Sequence, residues 1–493
     1  MHRFRRAATA LLALLIVFTI TAGVAVARML PPRLALWRLP TVASRSLAGG
    51  GPVLVPVTGL ADGPAGSVQT GHSGYSGQVA TAAGVAAALA PLLHSATLGS
   101  HVGAIVDDLS SGQVLLSRNA GSGFAPASTA KLAAAVAALD VLGPAAAFST
   151  KVVIGGGASS SIVLVGGGDP TLAAGHPPAS DYPQPATLVS LAAQTARALR
   201  ARGIRAVRLG YDTSLFTGPL LAPGWPDSYV TTGNVTPISS LEVDQGRLTA
   251  SGAPQDANAA ENFRARTFTP AAEAAKAFAG FLAGDGIRVR GAVSRTASPH
   301  GAATIAAVSS PPLAEIVDWM LTQSNNVIAE NLARQVAIAT GRPASFSGAA
   351  AAETAVLRRL GVRGEIRLVD GSGLSPQDRI TPNVLIQLIR LAAASGRPGL
   401  RAVITGLPVA GFSGTLAPGG SVFPDVGQAG LGVVRAKTGN LSTVVALAGI
   451  AQARGGQLFA FAFMADRLSS AGLDAGASDL TRLATSLAGC GCG

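Results

Sequence analysis

The chain has 493 residues, 48% of them hydrophobic and only 13% charged, which gives length for two or three domains and at least one large core and excludes a disordered or acidic protein. Its net charge of +12 suits an anionic partner, but with 4% aromatics and no Lys/Arg stripe interleaved with them, nucleic acid is not that partner. Two cysteines, Cys490 and Cys492, cannot staple a fold or complete a metal site. A local disulfide, an intermolecular link and two thiols without a role are the readings left open, the last being the plainest.

At the N-terminus Arg3, Arg5 and Arg6 precede 21 uncharged residues, Ala7 to Ala27, enough to span a bilayer with the rest of the chain outside. Ala25-Val26-Ala27 also fits a cleavage site, so residues 1–30 are either a signal peptide or an uncleaved anchor. The length of the run favours the anchor, and the lack of a following cysteine excludes lipid attachment. Residues 31–77, rich in Pro, Gly, Ser and Thr, read as a tether.

A helix is expected over 79–95, then a hairpin of 101–109 and 113–118 around Ser110-Ser111-Gly112, then a helix reaching Leu142. From Thr150 the pattern alternates: strands at 151–154 and 162–165, a helix at 186–202, a strand at 206–211 and a helix at 270–284. This reads as a separate small α/β module over 150–303. Its Gly166-Gly167-Gly168 opens no helix, so it is no phosphate loop. Helices follow at 313–321, 327–339, 347–360 and 381–394, then antiparallel strands at 432–437, 443–451 and 457–463 and a last helix at 471–487.

The chemistry concentrates at three places. Ser128 and Lys131 lie one turn apart on one face of a helix start, where a serine hydroxyl is activated only by a base and a lysine amine serves once its pKa is lowered. Only four of the 37 basic residues are lysines, and no other Ser-x-x-Lys occurs. Ser324-Asn325-Asn326 lies between two helices, and Lys437-Thr438-Gly439 at the end of a strand. In this order they supply the parts of an acyl-transfer site. Ser128 is the nucleophile, Lys131 its base, Ser324 a proton relay and Asn326 a ligand of the substrate amide. Lys437 gives positive charge that biases Lys131 toward neutrality, Thr438 binds a carboxylate, and the N–H groups of Ser128 and Asn440 receive the oxyanion. There is no G-x-S-x-G elbow and no H-E-x-x-H zinc motif, and the set asks for no metal or cofactor.

With these motifs stand Gly166-Gly167-Gly168-Asp169-Pro170-Thr171-Leu172, Pro223-Gly224-Trp225, Asp370-Gly371-Ser372-Gly373-Leu374-Ser375 and Gly414-Thr415-Leu416. From Val79 onward the chain resembles the type-4 low-molecular-mass penicillin-binding proteins, D-alanyl-D-alanine carboxypeptidases and endopeptidases, especially actinobacterial ones. The resemblance implies an α+β penicillin-binding-protein/β-lactamase-like transpeptidase domain, an antiparallel sheet with a helical cluster, formed by 78–149 and 304–493 around the inserted module. It implies cleavage of peptidoglycan stem peptides through an acyl-enzyme, covalent binding of β-lactams, and work in the cell envelope outside the cytoplasmic membrane. Trp225, Asp227 and Tyr229 match the segment that contacts the peptide side chain in relatives, with packing an equal alternative. Asp169, Asp370 and Ser372 read as turn residues. Two features depart from the family: 196 residues (324 − 128) separate the first motifs, short for two inserted modules, and Asn440 stands where Ser or Thr is usual. A sensor or scaffold without turnover and a β-lactamase are the alternatives, and the balance of carboxypeptidase against endopeptidase stays open.

Overall fold

The computed structural model describes residues 79–155, 160–248, 260–419, 423 and 427–492. The expected anchor and tether lie outside them. Among the described residues no helix is long and apolar enough to cross a membrane.

Helix α1 (Ala82–Leu93) begins where the Thr81 hydroxyl accepts from Gly84 N–H at 3.1 Å, and its buried Val85, Leu89 and Leu93 recur every four residues. Strands β1 (His101–Asp108) and β2 (Val114–Arg118) form the expected hairpin, its turn held by Asp108 accepting from the N–H groups of Ser110 and Ser111. A 3-10 turn, Ala127–Ala130, leads into α2 (Lys131–Leu142). Residues Lys131 to Leu139 are buried on every side, as a helix through the interior requires, and the alanines let its neighbours approach closely.

Next come β3 (Ser149–Ile154), β4 (Ser161–Val165), α3 (Leu188–Arg200), β5 (Ala206–Asp212), the single turn α4 (Ser228–Thr231), α5 (Pro270–Gly284), β6 (Arg288–Val289), β7 (Ser294–Arg295) and β8 (Ala303–Ser309). They build a sheet of order β6-β5-β4-β3-β8, with β7 also on β5. Strands β4, β5 and β6 are parallel, while β3 pairs antiparallel with β4 and β8. Val152, Ile162, Leu164, Val207 and Leu209 meet Leu191, Leu199, Phe278 and Leu282 of α3 and α5 in a core of their own. Ser149 pairs with Ser309, so the chain leaves this sheet beside the place where it enters.

Helices α6 (Leu313–Thr322), α7 (Asn326–Ala339), α8 (Phe346–Arg359), α9 (Pro382–Ala393) and α10 (Ala402–Thr405) follow, several of them packed on α2. The short pair β9 (Ile366–Arg367) and β10 (Arg379–Ile380) closes the loop between α8 and α9. Then β11 (Val434–Leu441), β12 (Val444–Gln452) and β13 (Leu458–Asp466) run antiparallel, and α11 (Leu473–Ala488) ends the fold. The main sheet, ordered β11-β12-β13-β1-β2, is antiparallel throughout, as expected. Alternation along β13 sends Ala460, Ala462 and Met464 to the helical cluster and Phe459, Phe461 and Phe463 to α1 and α11.

Two local expectations change. Lys437-Thr438-Gly439 lies inside β11 rather than at its end, because pairing of Gly439 with Ala446 and Asn440 with Val445 carries the strand past residues of low strand propensity. Cys490 and Cys492 are joined in a local disulfide rather than free. The chain folds back there onto α1, with Cys492 O accepting from Thr81 N–H at 2.8 Å.

Candidate active site

The nucleophile turn is held in a conformation that its sequence alone disfavours. Ala127 has φ 45°, in the left-handed region that L-residues with a side chain rarely adopt. Two glycines from distant segments press on it. A Cβ on Gly373 would overlap Ala127 O, and one on Gly439 would stand 2.8 Å from Pro126 O and 3.1 Å from Thr129 N. Thr129 Oγ1 donates to Pro126 O at 2.7 Å. Ser128 thus starts from a 3-10 turn rather than an α turn, partly exposed, with its N–H among the early helical donors that lack an intrahelical partner.

Lys131, one turn on, is wholly buried. Its Nζ lies 2.7 Å from Ser128 Oγ, 2.7 Å from Asn326 Oδ1 and 2.8 Å from Ser372 O. Burial lowers its pKa to about 7, against the opposing pull of the Asp370 and Glu330 carboxylates. A neutral amine has two N–H groups, which suit Asn326 and Ser372, and a lone pair aimed at the serine proton. Asn326 is itself oriented, its Nδ2 donating to Asn234 O at 2.8 Å.

Ser324 stands at φ 55° in the corner between α6 and α7, where Asn325 Oδ1 accepts from Ile328 N–H at 3.0 Å and caps α7. Lys437 Nζ donates to Ser324 Oγ at 2.8 Å and to Thr438 O at 2.9 Å. Burial and the neighbouring Lys131 push the Lys437 pKa well below its ordinary value. Burial is the leading cause at both lysines, and the repulsion between the two amines, which acts on each of them, adds to it. On the other side the Thr438 and Thr415 hydroxyls meet at 2.6 Å. Ala436 N–H donates outward to Pro408 O, so strand alternation directs the N–H groups of Thr438 and Asn440 to the same edge of β11.

Ser128, Ser324, Asn326, Thr438, Asn440 and Tyr229 line one cavity of about 580 Å³. Lys131, Lys437 and Gly439 are buried and do not line it. Part of the wall comes from the 150–303 stretch, where Arg266 braces the backbone by donating to the carbonyls of Gly233, Gln245 and Asn262. A larger cleft of about 1230 Å³, bordered by Asp108, Arg390 and Gln457, contains none of the motif residues.

Two expected side-chain contacts fall elsewhere. Trp225 is buried at 7% exposure, its indole N–H given to Asp370 Oδ2 at 2.8 Å, and it does not line the cavity. Asp227 is exposed at the start of α4 and also lies outside the lining. Conversely, Ser372 joins the site through its carbonyl oxygen, Asn234 through another, and Thr415 through its hydroxyl. Gly414-Thr415-Leu416 was a visible landmark, whereas a backbone carbonyl leaves no mark in residue type.

A family model for the D-Ala-D-Ala carboxypeptidase 3 (S13) family matches residues 85–261 and 247–487. The carboxypeptidase DacB of Mycolicibacterium smegmatis is 37% identical over 416 residues, covering 84% of this chain and 85% of that protein. A carboxypeptidase of Mycobacterium tuberculosis is 38% identical over 418 residues, again covering 84% and 85%. In fold the chain is similar to penicillin-binding protein 4 of Haemophilus influenzae, with TM-score 0.63 at 23% identity over 82% of this chain and 98% of that one. From its sequence and its antiparallel sheet beside a helical cluster, the chain belongs to the D-Ala-D-Ala carboxypeptidase 3 (S13) family of serine peptidases.

Proposed function

We propose that this protein removes the terminal D-alanine from D-alanyl-D-alanine stem peptides through an acyl-enzyme on Ser128, and that penicillin acylates the same serine. The observation that carries the reading is the buried Lys131 Nζ at 2.7 Å from Ser128 Oγ. Neutral Lys131 takes the hydroxyl proton as Ser128 Oγ attacks the carbonyl carbon of the penultimate residue. Negative charge gathers on the carbonyl oxygen, facing the N–H groups of Ser128 and Asn440. Ser324, within 2.8 Å of Lys437 Nζ, hands a proton to the leaving amine as the C–N bond breaks, and the proton taken up by Lys131 replaces it, leaving both residues as they began. Water then attacks the ester as neutral Lys131 takes one of its protons, and Lys131 returns that proton to Ser128 Oγ as the acid leaves.

Thr438 and Lys437 serve the substrate carboxylate, and Thr415 adds a hydroxyl beside Thr438, where Asn440 lacks one. Asn326 holds the substrate amide, Gly439 lets the backbone approach closely, and Tyr229 bounds the peptide side chain. The stretch expected over 150–303 is one inserted module that extends through β8 to Ser309, a reading supported by its separate core and by the pairing of β3 with β8. The protein works outside the cytoplasmic membrane, held there by residues 7–27. Incubation with a pentapeptide and with cross-linked muropeptides, with products identified by mass, tests the activity. Release of D-alanine together with stable penicillin labelling at Ser128, lost in Ser128→Ala, is expected. Rapid drug turnover without peptide cleavage would instead make it a β-lactamase.

A further inference from the structure

Trp225 sits in the chain stretch that builds the second sheet, yet its indole reaches the 370–375 loop, whose Ser372 carbonyl touches the catalytic lysine. Its ring packs edge-on against Phe346 with centroids 5.3 Å apart, and its Nε1–H donates to Asp370 Oδ2 at 2.8 Å. Asp370 opens the 370–375 loop and is 1% exposed. The same carboxylate accepts from Gly373 N–H at 2.7 Å and Ser375 N–H at 2.6 Å. Glu330 accepts from Gly371 N–H at 3.0 Å and from Ser372 N–H at 2.8 Å, with Arg334 3.6 Å from its other oxygen. Two buried carboxylates thus fasten this loop by its N–H groups. The Ser372 carbonyl points the other way, onto Lys131 Nζ at 2.8 Å. Gly373 of the same loop abuts Ala127 O in the nucleophile turn. A displaced loop would therefore disturb the base and the nucleophile together.

We propose that Trp225 is a positioning residue for Lys131: its indole N–H fixes Asp370, Asp370 fixes the loop, and the Ser372 carbonyl fixes the amine. The inserted stretch is then coupled to the proton transfer and not only to the substrate. This coupling rests on the Ser128/Lys131 acyl-enzyme reading given above. Loss of the indole donor would leave a buried carboxylate one hydrogen bond short, and the loop would shift to compensate.

Trp225→Phe in the full-length chain keeps the apolar packing and removes the N–H. The measurements are the acylation rate constant by a penicillin per labelled Ser128, and kcat and KM for a pentapeptide. Acylation per site is expected to fall about tenfold for both compounds, with kcat falling alike and KM within about twofold of wild type. A raised peptide KM with unchanged penicillin acylation would overturn the proposal and make Trp225 a substrate contact. A smaller labelled fraction acylating at the wild-type rate per site would overturn it in favour of a purely structural role. Asp370→Asn probes the same link from its other end, and an unchanged rate per site there would also overturn the proposal. Failure of the wild-type chain to label at Ser128 would sink the acyl-enzyme reading, and this proposal with it.

Discussion

Lys131→Arg separates the charge of this side chain from its basicity. With a pKa of about 7, about half of the Lys131 amine is neutral at pH 7. A guanidinium, with a pKa above about 12, is neutral in fewer than about one molecule in 10⁵. The arginine retains donors for Asn326 Oδ1 and Ser372 O, which offset part of the cost of burying its charge in this wholly buried site. Acylation by a fluorescent penicillin should therefore fall by at least about 10³-fold, the remainder of the 10⁵ being masked by slower routes to an ionised serine. The thermal midpoint should move by no more than about 5 °C. The assay is a labelling time course at saturating drug, with the label located on Ser128 by peptide mapping. Labelling within about tenfold of wild type would refute the reasoning and direct attention to the Ser324–Lys437 pair, joined at 2.8 Å.

The pH dependence has a definite sign. Since only the neutral amine accepts a proton and the Lys131 pKa is lowered to about 7, acylation should rise from pH 5 to pH 8 with its midpoint near 7. A flat profile between those limits would contradict Lys131 as base. Gly439→Ala places a Cβ 2.8 Å from Pro126 O and should cost more than about tenfold in acylation while circular dichroism stays that of wild type. Gly280→Ala, in an exposed part of α5 with nothing within 4 Å of the added Cβ, should raise unfolding stability by about 0.5–1 kcal/mol in urea titrations and leave labelling unchanged.

The motifs were legible because their residue types are the chemistry. Ser128 with Lys131, Ser324 with Asn326, and Lys437 with Thr438 lie in three separated stretches of the sequence that meet at one site. Period-two and period-3.6 patterns placed most elements within two residues, because β13 alternates small and large side chains and α9 keeps one apolar face. Contacts made through backbone were not legible. Ser372 acts by its carbonyl, and Glu330 acts on that carbonyl through two peptide N–H groups, so neither residue carries a signature of its task. Trp225 shows a different limit. A tryptophan beside a turn reads equally as a ligand contact or as an anchor, and only its burial against Asp370 and Phe346 separates them.

The position of β1 in the main sheet bears on how the chain matures. His101 pairs with Asp466, 365 residues further along the chain, so the local β1–β2 hairpin meets β13 only through a long-range closure. Loop closure over such a span is slow. Until that closure the hairpin keeps one edge of β1 unpaired, a state prone to association. The second sheet, whose strands all lie between Ser149 and Ser309, can close much sooner and hold the middle of the chain while the two ends find each other. Lys437 is carried on β11 of the same sheet and meets Ser324 Oγ at 2.8 Å, so the site is complete only when this long-range sheet has closed.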